Sequence, residues 1–156
     1  MANHAWIYTD TLPTHEVIDK DIRHLVARKF SMLKVKSVEN GWIIYHPEDE
    51  DYLALAIWHS YFQEYNTTGK TGERIKAIEF RHGHPYRILY WIENYIRASL
   101  AKKYNCKAWD DGIGPYQEKD PAETLEEYWP GWLNWVSSKA ELKTLPKDLR
   151  NLVEGK

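Results

Sequence analysis

Lys36-Ser37-Val38-Glu39-Asn40-Gly41-Trp42-Ile43-Ile44-Tyr45 is the stretch on which the reading of the fold turns. From Met32 to Val38, the residues Leu33, Val35 and Ser37 alternate with Lys34 and Lys36. From Trp42 to Tyr45 the chain is aromatic and β-branched. A period of two sends successive side chains to opposite faces of a strand, and Asn-Gly between two such runs is the strongest short hairpin signal. The chain therefore contains an antiparallel sheet, and its neighbours are read against that sheet.

Toward the C-terminus, Pro47-Glu48-Asp49-Glu50-Asp51 forms a polar turn. The segment from Tyr52 to Tyr65 continues the meander as a strand to about Trp58, although Leu53, Ile57, Tyr61 and Tyr65 also share helical spacing. The segment 66–72 is a loop, and Arg74 to Arg81 is a strand with Ile78 and Phe80 on one side. Gly83 and Pro85 break the chain. From Tyr86 to Tyr104, Ile88, Trp91, Ile92, Tyr95, Ile96 and Leu100 form the apolar stripe of a long helix, with Asn105 as its stop. Asp110 to Pro115 reads as a turn-rich loop. Asp120-Pro121-Ala122-Glu123 opens a short helix to about Tyr128, and two more short helices fall near 131–138 and 146–153.

Toward the N-terminus, Ala5 to Tyr8 suits a short strand. Thr11 or Thr14 caps a helix over 14–29, in which Val17, Ile18, Ile22, Leu25 and Val26 recur at helical spacing. The expected architecture is one α+β domain over residues 1–156. It has an N-terminal helix, a mostly antiparallel β-meander of three to four strands, one long amphipathic helix, and short C-terminal helices packed on the sheet.

Bulk composition narrows the function. A chain of 156 residues, 43% apolar and 28% charged, is a single domain with enough apolar surface for a core. A formal net charge of −2 disfavours a general nucleic-acid binder, whose affinity rests on phosphate contacts. Cys106 is the single cysteine, which excludes an internal disulfide and a Cys-rich zinc site. No leader-like start and no membrane-length apolar run is visible, so the expected setting is cytoplasmic, with no membrane partner.

Two features stand out. Eight Trp, eleven Tyr and three Phe bring the aromatic share to 14%. Charge is also segregated. Within 84–107, Arg87, Arg97, Lys102, Lys103 and Lys107 face Glu93 alone, a net of +4. Within 108–136, Asp110, Asp111, Glu118, Asp120, Glu123, Glu126 and Glu127 face Lys119 alone, a net of −6. The acidic segment also holds Trp109, Trp129, Trp132 and Trp135. One reading is a segment folded back on the basic helix end. The other is an acidic, aromatic docking surface for a basic partner protein, with Trp109, Asp110, Asp111, Glu123, Glu126, Glu127, Trp129 and Trp132 as contacts.

Catalytic motifs are sparse. Gly69-Lys70-Thr71 resembles the end of a P-loop, but Glu64 stands where the cradle needs glycine. Asp110-Asp111-Gly112 fails the calcium-loop spacing. Cys106 lies between Lys102-Lys103 and Lys107, a setting that lowers a thiol pKa, yet no histidine is near it in sequence. His82-Gly83-His84 is the nearest approach to a metal pair, with Asp110 or Asp111 as the third ligand of a metal-assisted hydrolase or nuclease. Against that stands the long helix, which carries the chain about 30 Å for 20 residues and so separates the acids from the histidines. A small-ligand or nucleotide pocket lined by aromatics is a further alternative. No cofactor is expected.

The strand ending Glu79-Phe80-Arg81, then Gly83-His84-Pro85, the long helix and Asp110-Asp111-Gly112 resemble small bacterial immunity-type proteins over less than a third of the chain. Together with the size of the chain and the −6 segment, the resemblance favours a non-enzymatic, inhibitor-like, antitoxin-like or immunity-like binding protein.

Overall fold

The hairpin forms where the sequence places it, but its turn is shifted by one residue. Strand β2 (Lys34–Val38) pairs antiparallel with β3 (Gly41–Tyr45), and Val38 is opposite Gly41. The connecting residues are therefore Glu39 and Asn40, and Asn40 takes the left-handed conformation at φ 69°. Asparagine tolerates that region better than other residues with a side chain. Gly41 serves a different need. A Cβ there would meet the carbonyl oxygen of Ile57 at 2.1 Å and the Trp58 ring at 2.8 Å. Glycine is required by the close approach of the next strand, β4 (Ala54–Phe62).

The computed structural model describes residues 3–63, 65–66, 69–70, 72–82, 88–110, 114–116 and 141–155. The remaining elements are β1 (Asn3–Tyr8), α1 (His15–Lys29), the two-residue pair β5 (Tyr65–Asn66) and β6 (Gly69–Lys70), β7 (Ile75–His82), α2 (Ile88–Tyr104), β8 (Lys107–Asp110), β9 (Gly114–Tyr116), α3 (Glu141–Thr144) and α4 (Lys147–Glu154). The fold is α+β. Among the described residues its main sheet has seven strands in the order β2-β3-β4-β7-β1-β8-β9, and every neighbouring pair is antiparallel. This corrects the expectation of three to four strands. β4 runs four residues past Trp58, and β8 and β9 lie where a turn-rich loop was expected. Those last strands are too short to display a period. The helices expected at 120–128 and 131–138 lie outside the described residues.

Helix α1 starts as its sequence suggests, with Thr14 Oγ1 accepting the Val17 N–H at 3.5 Å. Its inner face buries Ile18, Ile22, Leu25 and Val26, whereas Val17 is 45% exposed. Helix α2 ends at Tyr104, and Asn105 follows at φ 54° as a left-handed cap. It differs from the expected amphipathic helix in being buried on most sides. The Phe30 ring meets Trp91 and Tyr95 edge-on at 5.4 and 5.5 Å. Glu93 and Arg97, one helical turn apart, pair in the interior at 2.8 Å. Arg97 is thus no part of a basic surface. Burying both charges together avoids the cost of stranding either.

The helices α1, α2 and α4 share one side of the sheet. Ile7, Trp42, Ile44, Leu55, Ile57, Ile78 and Phe80 from the strands form one cluster there with Ile18, Ile22, Ile92, Ile96, Leu149 and Val153. Each fully buried Ile or Leu contributes about 1.5–3 kcal/mol, which is what holds the two layers together. Among the described residues, no helix is long and apolar enough to cross a membrane.

The strands β7 and β8 both run antiparallel to β1, so they are parallel to each other. Helix α2 carries the chain away from His82, and β8 brings it back. His82 pairs with Asn3, and Asp110 pairs with Ala5, two residues along the same strand. The expected wide separation of these two positions is corrected by that return strand.

Candidate functional site

Strand alternation sorts the aromatic excess into two groups. On the helix side, Trp42 and Phe80 are core. On the other side, register sets a row across four strands. Trp109 of β8 pairs with Trp6 of β1, Trp6 with Glu79 of β7, and Glu79 with Trp58 of β4. All three tryptophans are part-buried. One position along, Tyr8 stacks on Phe62 at 4.2 Å, and Phe62 lies 5.5 Å from Trp109 and 6.3 Å from Trp6. Among the described residues, the cluster of Tyr8, Phe62 and Ala77 with Trp6, Ile75 and Trp109 contains strand residues only.

The charge on that face is positive. Lys34, Lys36, Arg81 and Lys107 occupy its exposed positions by alternation with core residues. Glu79 is held by His4, whose Nδ1 is 2.8 Å from Oε1, and by Arg81 at 3.9 Å. Arg81 Nε donates to His4 Nε2 at 3.1 Å, which leaves His4 Nδ1 as the donor to Glu79. The single acid of the row is thereby neutralised by its neighbours.

A second arrangement sits at one end of the helix side. His15, the first residue of α1, and His59 of β4 bring Nδ1 and Nε2 to 2.8 Å. His15 stacks on Trp42 with ring centres 4.5 Å apart, and His59 leans over the same ring at 5.0 Å. Trp42 is locked from behind, since its indole N–H donates to Asp19 Oδ1 at 2.9 Å. Asp19 is also bound by Arg23 and Ser37. Burial would raise the Asp19 pKa, but the bonds from Trp42 and Arg23 outweigh it and hold the carboxyl below its usual range. Burial first, and then the charge of His15, hold His59 below the ordinary imidazole range. The Asn40 carbonyl accepts the His59 N–H at 2.8 Å, so the hairpin turn fixes this stretch of β4. Beside the pair lies a cavity of about 340 Å³, lined also by Thr14, Ser60, Tyr61 and Lys76.

Of the residues expected to form the site, Trp109 lies on the strand-only face and Asp110 is the next residue of β8. Asp111, Glu123, Glu126, Glu127, Trp129 and Trp132 lie outside the described residues, as does His84. His82 is buried, with its ring edge-on to Tyr90 at 4.4 Å. Among the described residues, no group of three His, Cys, Asp or Glu is placed to hold a metal. Cys106 is not the activated thiol its lysine neighbours suggest, because burial pushes it up to about 12. Trp6 and Trp58 alternate with core residues and were legible as a second face. Nothing in the sequence joins His15 to His59. No protein-family model, curated protein or solved structure matches the chain.

Proposed function

We propose that the protein is a non-enzymatic interaction module that binds another protein through the strand-only face of its sheet. The observation that carries this reading is the cross-strand row of Trp109, Trp6 and Trp58, part-buried on a side where, among the described residues, the aromatic cluster has no helical member. Rigid aromatic side chains in such a row supply hot-spot area at low entropic cost. The surrounding Lys34, Lys36, Arg81 and Lys107 favour an acidic partner surface and would steer its approach. One-to-one blocking of a partner, in the manner of an inhibitor or an immunity protein, fits a rigid aromatic surface of this kind.

The alternative surface is the acidic stretch through Glu123, Glu126 and Glu127 with Trp129 and Trp132, which would take a basic partner. Affinity capture with charge-reversed variants separates them. The triple change Lys34→Glu, Lys36→Glu and Arg81→Glu should abolish capture, while Glu123→Lys, Glu126→Lys and Glu127→Lys should leave it intact. The opposite pattern transfers the site to the acidic stretch. Capture unchanged in both, with folding verified by circular dichroism, removes the interaction reading. Binding of oligonucleotides to the strand-only face in a fluorescence titration would replace the protein partner with single-stranded nucleic acid.

A further inference from the structure

We propose that the cavity beside His15 and His59 binds a small phosphate-bearing molecule, and that one proton is taken up as it binds. The inference stands apart from the strand-only face, because His15 and His59 pack on Trp42, on the helix side of the sheet.

Proton counting carries the argument. Two neutral imidazoles hold two N–H groups between them. One occupies the 2.8 Å contact between His15 Nδ1 and His59 Nε2. One remains for the two outer nitrogens, so the neutral pair offers one donor and one acceptor. A third proton makes both outer nitrogens donors and leaves the inner bond intact. A fourth would set two N–H groups against each other and break it. The pair therefore holds one additional proton and no more. In that state it presents two donors and a single positive charge, which suits an oxyanion.

The surroundings favour the same ligand. Lys76 lines the cavity from β7, and Thr14 adds a hydroxyl. Among the described residues, no carboxylate lines it. Arg74 lies over the Tyr61 ring at 4.5 Å, adding a cation at the same edge. The first turn of α1 begins at the cavity with the Thr14 cap and His15, and its positive end favours an anion. The opposing charges are Glu16, exposed in that turn, and Asp19, which is occupied by Trp42, Arg23 and Ser37 behind the Trp42 ring. Burial disfavours a proton on His59 while the cavity is empty, and an anion beside it favours one. A volume of about 340 Å³ accommodates a phosphate with a small organic group.

Calorimetric titration of the full chain with inorganic phosphate near neutral pH, in two buffers of different ionisation enthalpy, tests this. Saturable binding with uptake of about one proton is expected. Loss of one charge-assisted bond in His59→Asn or His15→Asn should weaken it about tenfold, and Lys76→Ala should weaken it less. Ribose 5-phosphate as a second probe distinguishes a phosphate ester, which would bind more tightly, from free phosphate, which would not be exceeded. Absence of saturation below about 10 mM, binding without proton uptake, or binding by both histidine variants as tight as that of the wild type overturns the proposal. Should His59→Asn fail to fold, His15→Asn and Lys76→Glu carry the test, since both positions are less enclosed by the sheet.

Discussion

His46 Nε2 lies 2.8 Å from Asp148 Oδ1 and ties the end of the β2–β3 hairpin to helix α4 across 102 residues of sequence. The Glu48 backbone N–H donates to His46 Nδ1 at 3.1 Å, so the Nε2 proton is the one offered to Asp148. His46 is buried, whereas the Asp148 side chain is 52% exposed. The two partners should therefore respond unequally. His46→Ala should cost about 2–3 kcal/mol, from the space it leaves and the Glu48 N–H it strands. Asp148→Ala should cost about 1 kcal/mol or less, because water replaces the lost carboxylate. Urea unfolding measures both, and equal losses would contradict the account.

Asp21 fastens α1 to the end of α2. It accepts from Tyr104 at 2.6 Å and from Lys103 at 2.7 Å. Burial opposes its ionisation, but these bonds and the Lys103 charge outweigh burial and hold its pKa down. A carboxyl held below its unfolded range stabilises the fold above about pH 4 and ceases to do so as pH falls through the folded value. Asp21→Asn should thus lower stability at neutral pH by about 1–2 kcal/mol. The gap from wild type should close as the solution is taken below about pH 4. A gap that persists at low pH would assign the effect to shape rather than charge.

Gly41 and Asn40 make opposite demands, and substitution should reveal it. A Cβ at Gly41 strikes the Ile57 carbonyl at 2.1 Å, which is backbone and cannot turn aside. Gly41→Ala should cost about 2–4 kcal/mol. Asn40→Gly, at φ 69°, should be near neutral because glycine adopts that conformation freely. Thermal unfolding of the two variants checks the ordering.

Cys106 should resist alkylation. Its thiol is raised to about 12 by burial, so little thiolate exists at mildly alkaline pH. Iodoacetamide should label it slowly in the folded protein and rapidly after denaturation. Comparable rates in both states would show that the thiol is open.

The parts of the fold that could be read in advance are those whose signals are local. Thr14 caps α1, Asn105 ends α2, and the hairpin around Asn40 forms because neighbouring residues dictate it. What escaped depends on partners far along the chain. Lys107-Ala108-Trp109-Asp110 becomes a strand because β1 offers a free edge, not because four residues show a pattern. Arg97 reads as surface charge until Glu93 is found beside it in the interior. The His15–His59 contact joins a helix start to a strand 44 residues away, and only the stacked Trp42 ring explains why both imidazoles settle there. Trp109 was singled out for its acidic neighbours, yet its register partner is Trp6 on a face rimmed by lysines.

The place of β1 between β7 and β8 has a kinetic consequence. Strands β2, β3 and β4 can zip together through short connections, whereas β1 must wait for partners at 75–82 and 107–110. Closing such distant contacts is entropically slow. Until then β7 and the partly built sheet expose an unoccupied slot with unpaired backbone groups. The earliest strand in the sequence is thus a late keystone: a nascent chain that has not reached β7 holds β1 without a partner, and one that ends before β8 leaves the far edge of β1 open to any other extended peptide.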